Sequence, residues 1–201
     1  MKDKSKLIRR ILAVIVGIVL VAVSIVAACN NKPLPGKDSN VMNMSIVSSS
    51  FTHEHEIPAR HTCDAQDTSP PISWTGVPTG AKSLVLIVDD PDAPDPAAPQ
   101  MTWVHWLLYN IPVKVNGLAE GISVSNLPPG TLEGVNDWHR TGFGGPCPPV
   151  GRHRYFFKLY ALDTVMPDLK KPGKHALEVG MHGHVLDQAT LMGLYQRRSG
   201  R

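Results

Sequence analysis

The sequence predicts a β-rich α+β domain, and three observations carry that prediction. Strand-like apolar runs stand at Leu84–Val88, Thr102–Asn110 and His153–Leu162, separated by turn-rich sequence. The 18 prolines and 17 glycines imply many turns and a site built on loops. A helical period comes late: Val185, Ala189 and Met192 at i, i+4 and i+7 predict a C-terminal helix over Val185–Tyr195. Strands first and a helix last favour this class over a parallel α/β sheet.

The domain does not start at the N-terminus. Met1–Arg10 is a charged segment, and Ile11–Ala28 is uncharged and largely apolar up to Cys29. Charge, apolar run and small residues before a cut are the order of a secretory signal. Val26-Ala27-Ala28-Cys29 resembles the lipobox of bacterial lipoproteins, in which the cysteine is diacylated and becomes the new N-terminus. The competing reading is an uncleaved transmembrane anchor. Residues 1–28 are therefore read as a lipoprotein signal peptide and 29–40, rich in Asn, Pro and Gly, as a lipidated flexible tether. Residues 41–201 form the folded domain. The expected location is the cell envelope, outside the cytoplasm. Asn30 after the cysteine resembles an outer-membrane address in a Gram-negative host.

The net charge of +3 belongs to this leader. Five of the 20 basic residues and one of the 17 acids lie in residues 1–28, which leaves 15 bases against 16 acids. The body of the chain thus gives no electrostatic reason to expect nucleic acid.

Taken in order, Met42–Ser48 is a first strand. Phe51–Arg60, with His53 and His55, reads as a solvated hairpin, and Ile72-Ser73-Trp74 as a short strand. Leu84–Val88 has the composition of a strand buried on both faces. It is expected to stop at Asp89-Asp90-Pro91, because proline cannot extend the ladder. In Thr102–Asn110, strict alternation puts Trp103, His105, Leu107 and Tyr109 on one face and Val104, Trp106 and Leu108 on the other. In the third run His153, Tyr155, Phe157, Leu159 and Ala161 share a face, and Arg154 points away to pair with a carboxylate. His182 and His184 read as an exposed helix start.

Asp90, His105 and His153 are the candidate site. Two histidines and a carboxylate are a recognised metal set, but no H-x-H or H-E-x-x-H helical spacing supports a metal there. Cys147 near His153 is a candidate Cys–His nucleophile pair. Against it, Cys63 and Cys147 are the two cysteines left after lipidation, and an even pair in an exported domain predicts a disulfide. Core histidines satisfied by backbone are the alternative to any site.

Several blocks carry a resemblance: Asp90-Pro91-Asp92-Ala93-Pro94, Trp103-Val104-His105-Trp106, Gly144-Gly145-Pro146-Cys147-Pro148-Pro149 and Gly151-Arg152-His153-Arg154-Tyr155. Together, in this order, they resemble the phosphatidylethanolamine-binding protein family, in its bacterial Raf-kinase-inhibitor-like branch, over roughly residues 42–197. The resemblance implies a large antiparallel sheet with a smaller flanking sheet and an anion pocket at one end. That pocket would take phosphate or the phosphorylethanolamine head group. Carried over by position, its residues are Asp90, His105, Gly145, Pro146 and His153, with Pro91 and Tyr155 as wall. Asn136-Asp137 resembles a structural turn of the family. The resemblance implies neither metal nor cofactor, and no serine nucleophile accompanies the histidines. The expectation is a non-enzymatic, membrane-tethered protein binding a phosphate-bearing or zwitterionic ligand. The second expectation is an inhibitor or regulator of a protease or kinase through protein contact.

Overall fold

A run such as Leu84-Val85-Leu86-Ile87-Val88 has no polar face, so it is stable as a strand only where both sides are covered. In the computed structural model, which describes residues 43–197, these five residues are at most 1 % exposed and form the middle of β4 (Ser83–Ala93). β4 lies between β5 (Met101–Ile111) and β8 (His153–Leu162) and is antiparallel to both. β9 (Val185–Tyr195) extends the sheet beside β8, and two-residue strands close its edges, β2 (His55–Glu56) on β9 and β7 (Leu132–Glu133) on β5. All these pairings are antiparallel except that of β2 with β9. A second, three-stranded antiparallel sheet is made by β1 (Ser45–Ser48), β3 (Ile72–Thr75) and β6 (Gly117–Leu118). The β-rich α+β architecture, a large sheet with a smaller flanking one, is as predicted. The predicted signal peptide, Cys29 and the tether lie outside the described residues.

Two apolar clusters hold these layers together. Ile46, Ile72, Trp74 and Leu118 of the small sheet pack against Leu84, Leu86, Val88, Trp106, Leu108, Phe157 and Leu159 of the large one. The other face of the large sheet, with Val85, Ile87, Val104, Leu107 and Tyr109, is covered by Met166 and by Leu177 and Met181 of α1 (Lys174–Met181).

Five expectations are corrected, each because a neighbour overrides a local pattern. Val185–Tyr195 is a strand, not a helix. Ala189, Leu191, Gly193 and Tyr195 pair with Leu159, Phe157, Tyr155 and His153, so the open edge of β8 decides the conformation rather than the helical period. The helix lies earlier, at Lys174–Met181, and His182 and His184 follow its end rather than start one. β4 does not stop at Pro91. It runs on to Ala93, and the missing N–H falls in a register shift between Asp90 and Ala93, where no ladder bond is needed. Phe51–Arg60 is not a hairpin: Phe51 and Ile57 are core residues, and His55-Glu56 lies along β9.

The fifth correction shapes the site. Val88 pairs with Trp106 and Asp89 with Val104, so one step along β4 answers two along β5 and His105 is an extra, bulged residue. The bulge turns His105 to the same side as Trp106 and Leu108, away from Leu107 and Tyr109. A second shift between Leu84 and Leu86 falls at Asn110, whose φ is 56°. Strict alternation therefore mis-assigns half of β5.

Candidate functional site

Three strands meet at one end of the large sheet, where β4 finishes and β5 and β8 begin, and three buried polar side chains converge there. Asp90 on β4 is 3 % exposed, His105 on β5 2 % and His153 on β8 0 %. Together they help line a cavity of about 360 Å³ whose other walls are Ala93, Pro94, Met101, Trp103, Trp138, Cys147, Pro148 and Pro149.

The loop from Gly134 to Gly151 is fixed to the strands by its own side chains. The Val104 N–H donates to Asp137 Oδ2 at 2.7 Å, and the Asp137 N–H returns a bond to the Val104 carbonyl at 3.1 Å. Asn136 Oδ1 accepts from the N–H groups of Trp138 and Arg140, and its amide donates to the Gly142 carbonyl. This turn presents Trp138 at right angles to Trp103, ring centres 5.4 Å apart, and edge-on to His105 at 5.1 Å. Gly144 is required beneath it, because a Cβ there would stand 2.5 Å from the Trp138 ring. Farther along, a disulfide joins Cys147 to Cys63, and the Cys63 N–H donates to the Pro146 carbonyl at 3.1 Å. The pocket loop is thus tied to the 59–68 segment. With its sulfur in that bond, Cys147 has no thiolate to offer His153.

Each histidine has a determinate role. His105 Nδ1 lies 2.6 Å from the Gly144 carbonyl, which can only accept, so Nδ1 carries the proton. Burial holds the ring's pKa down to about 4, leaving it neutral at pH 7 with a bare lone pair on Nε2. His153 Nε2 donates to the Val150 carbonyl at 2.9 Å, and Nδ1 sits 2.7 Å from Asp90 Oδ2. One proton is shared between Nδ1 and Asp90, and the pair is neutral overall. Burial raises the Asp90 pKa. Asp90 Oδ1 accepts from the Asp92 N–H at 2.8 Å, so both its oxygens are engaged. Arg154 points to the other face and pairs with Asp92, Nε to Oδ2 at 2.9 Å and a terminal nitrogen to Oδ1 at 2.7 Å.

The remaining sequence-predicted residues stand behind the lining. The Gly145 N–H donates to Asp67 Oδ1 at 2.6 Å and the Gly144 N–H to the His105 carbonyl at 3.1 Å, so neither amide is free for an anion. Pro146 contributes its carbonyl to the 59–68 segment, and Pro91 lies in the irregular part of β4. Tyr155 backs the site, its ring 5.2 Å from His105 and edge-on to it. Among the described residues, His105 Nε2, Trp103 Nε1 and the Tyr155 hydroxyl are buried atoms without a hydrogen-bond partner. His105 and Trp103 are lining residues, whereas Tyr155 stands behind them. No group of three or more His, Cys, Asp or Glu side chains suited to a metal ion occurs among the described residues.

Sequence reasoning missed Trp103, Met101 and Trp138 as lining residues. Trp103 stood in the quoted motif two residues before His105, and Trp138 directly followed Asn136-Asp137, so a signal was there to read.

The family model for phosphatidylethanolamine-binding protein matches residues 47–196. A UPF0098 protein of Methanothermobacter thermautotrophicus is 50% identical over 157 residues, covering 77% of this chain and 99% of the relative. Among solved structures, a putative phosphatidylethanolamine-binding protein homologue of Chlamydia trachomatis has a TM-score of 0.71 and 39% identity, over 78% of this chain and 99% of that one. Escherichia coli YbcL matches with a TM-score of 0.71 at 29% identity, again over 78% and 99%.

Proposed function

The chain belongs to the phosphatidylethanolamine-binding protein family, and from that premise we propose that its pocket binds the phosphoryl group of a small head group such as phosphorylethanolamine, or phosphate itself. The observation that carries the reading is the convergence of Asp90, His105 and His153 from three strands on one cavity. Imidazole nitrogens and an indole N–H are hydrogen-bonding groups for a phosphoryl oxygen, and His105, His153 and Trp103 are all in the lining. The apolar walls with two indole rings suit a short ammonium-bearing arm.

Asp90 receives the His153 ring and the Asp92 N–H, so it serves to orient His153. The proposed function includes a tether: Cys29, acylated at the lipobox, holds the domain at a membrane on the outer side of the envelope. One acyl chain anchors marginally and two or more hold firmly, which suits a resident envelope protein.

Calorimetric titration of the full chain with phosphorylethanolamine tests the pocket. Saturable one-to-one binding is expected, with at least a tenfold loss in the His105→Ala variant. Equal binding by that variant, folded by circular dichroism, rules the pocket out. Metabolic labelling with palmitate, lost on Cys29→Ser, tests the tether.

A further inference from the structure

We propose that His61 is a proton-operated latch beneath the cavity loop. Neutral, its ring locks the 59–68 segment on which Gly145, Pro146 and Cys147 rest; protonated, it releases that segment and loosens the cavity wall. The inference does not depend on which ligand the cavity takes.

The latch is one buried ring with both nitrogens engaged. His61, wholly buried, ends the 3₁₀ turn Ala59–His61. Its Nδ1 lies 2.8 Å from the Thr68 carbonyl, which can only accept, so Nδ1 carries the proton. Nε2 accepts the Arg60 Nε–H at 3.1 Å, so it carries none and the ring is neutral. The ring thus pins residue 68 to residue 61 across the base of the loop between them. Two backbone bonds of 3.2 Å lie over the same base, from the Thr68 N–H to the Arg60 carbonyl and from the Asp67 N–H to the Thr62 carbonyl. The cavity loop sits on this platform. Gly145 packs so closely on the His61 carbonyl and the Thr62 backbone that a Cβ would overlap them. The Gly145 N–H donates to Asp67 Oδ1 and the Cys63 N–H to the Pro146 carbonyl. The disulfide joins Cys63 to Cys147, which lines the cavity with Pro148 and Pro149.

A second proton on His61 finds no partner. On Nε2 it removes the acceptor for Arg60 and sets an imidazolium against a guanidinium. The charged groups around the ring give little relief. From its own turn comes Arg60, a like charge, whose terminal nitrogen also donates to Ser50 Oγ at 3.0 Å. From the segment after β6 comes Glu120, which lies 3.3 Å from Arg60 and already serves it. On the 62–68 loop, Asp64 is held by Tyr195 and Arg197, and Asp67 by the Gly145 N–H and by Arg140 at 3.7 Å. The 134–151 loop presents only the uncharged Gly145 to this residue. Burial above all, and Arg60 with it, lower the His61 pKa, while the Thr68 carbonyl and Glu120 pull the other way. Arg60 is half exposed and can swing away, but that leaves a buried, charged N–H without an acceptor, which is costly. The ring meets that need by turning out to water, which takes Nδ1–H off the Thr68 carbonyl. The 62–68 loop then opens at its base, and Asp67 and Cys63 pass the motion to Gly145 and Pro146. The open state holds the proton more tightly than the closed one, so acid favours opening.

Amide hydrogen exchange of the full chain between pH 7 and 5, corrected for its intrinsic pH dependence, tests the latch. The window stays above the His105 value of about 4, so that histidine does not contribute. Protection of the Cys63, Asp67, Thr68 and Gly145 amides is expected to fall several-fold per pH unit below about 6.5, the ordinary imidazole value. One proton limits the fall to about tenfold per unit. Amides in the middle of β4 are expected to hold their protection. In His61→Gln, which keeps a donor and an acceptor but takes no proton, the acid-dependent fall is expected to vanish. In Arg60→Gln the like charge is gone, so the His61 ring signal is expected to titrate at higher pH than in wild type. Arg60 is half exposed, so this second variant decides the matter if His61→Gln does not fold. Protection unchanged down to pH 5 in the wild type overturns the inference. So does a fall that persists in His61→Gln, or a His61 titration that Arg60→Gln leaves in place.

Discussion

Asp89 and Asp90 are neighbours in one strand, both buried, and β4 sends them to opposite faces with unlike company. Asp89, wholly buried, lies 2.7 Å from Lys158 Nζ and 2.8 Å from Lys174 Nζ, beneath the helix that caps that face. Asp90 has a single histidine and one backbone amide, and it lines a cavity. On one face the carboxylate lies between two ammonium groups. On the other, Asp90 holds His153 beside a cavity that His105 and Trp103 also line. A buried acid is thus no sign of function by itself. What distinguishes Asp90 is the cavity beside it, with two histidines in its lining.

On that contrast, the helix-side cluster governs stability and the pocket side governs binding. The largest effect is expected from the Lys158→Met/Lys174→Met double variant, which strands the buried Asp89 carboxylate. A loss of about 3–5 kcal/mol is expected in urea unfolding, with phosphorylethanolamine affinity unchanged in the folded protein. A large loss of affinity at full stability would break the contrast.

The pH dependence sharpens it from the other side. The folded-state pKa of His105 is lowered from 6.5 to about 4. Its contribution is present above the unfolded value and is lost as pH falls through the folded one, because the unfolded chain takes the proton first. Between pH 7 and 4 the wild type should therefore lose about 3 kcal/mol more stability than His105→Gln. Asp90, with its pKa raised by burial, works the opposite way: its contribution is present at low pH and is lost as pH rises. Comparing the His105 variant with wild type removes that common background. Parallel pH curves would show that His105 is not the neutral buried imidazole described above.

Removing the disulfide by Cys63→Ser/Cys147→Ser tests how the pocket loop is held. A cost of about 2 kcal/mol is expected, at the low end for such a bridge. The Gly145–Asp67 and Cys63–Pro146 bonds still join the two segments. The smallest effect is expected of Arg154→Ala, about 1 kcal/mol, because the arginine is half exposed although its partner Asp92 is buried. Binding by this variant should stay within twofold of wild type, since Arg154 faces away from the cavity.

Much of the molecule is legible in its residues. The apolar runs of β4, β5 and β8 declare strands because no other structure buries such patterns. The period-2 face of His153, Tyr155 and Phe157 holds because β8 runs without a shift through those residues. Alternation along β8 gives Arg154 a carboxylate partner, which is Asp92, and Asn136-Asp137 makes a structural turn. Asp90, His105 and His153 could be named from the ordered motifs.

What the tertiary structure alone decided concerns neighbours in space. Periodicity describes a segment against its own average surroundings, so it cannot register that one step on β4 meets two on β5, and that bulge is what turns His105 to the cavity. Nor can it see that β8 has an open edge, which makes Val185–Tyr195 a strand despite helical spacing. Hydrogen-bond partners are likewise set by distant chain: Asp67 takes the Gly145 amide, and the Gly144 carbonyl fixes the His105 tautomer. Sequence determined which chemical groups meet. Packing decided which of their protons and lone pairs remain free, because that depends on angstrom-scale distances between segments far apart in the chain.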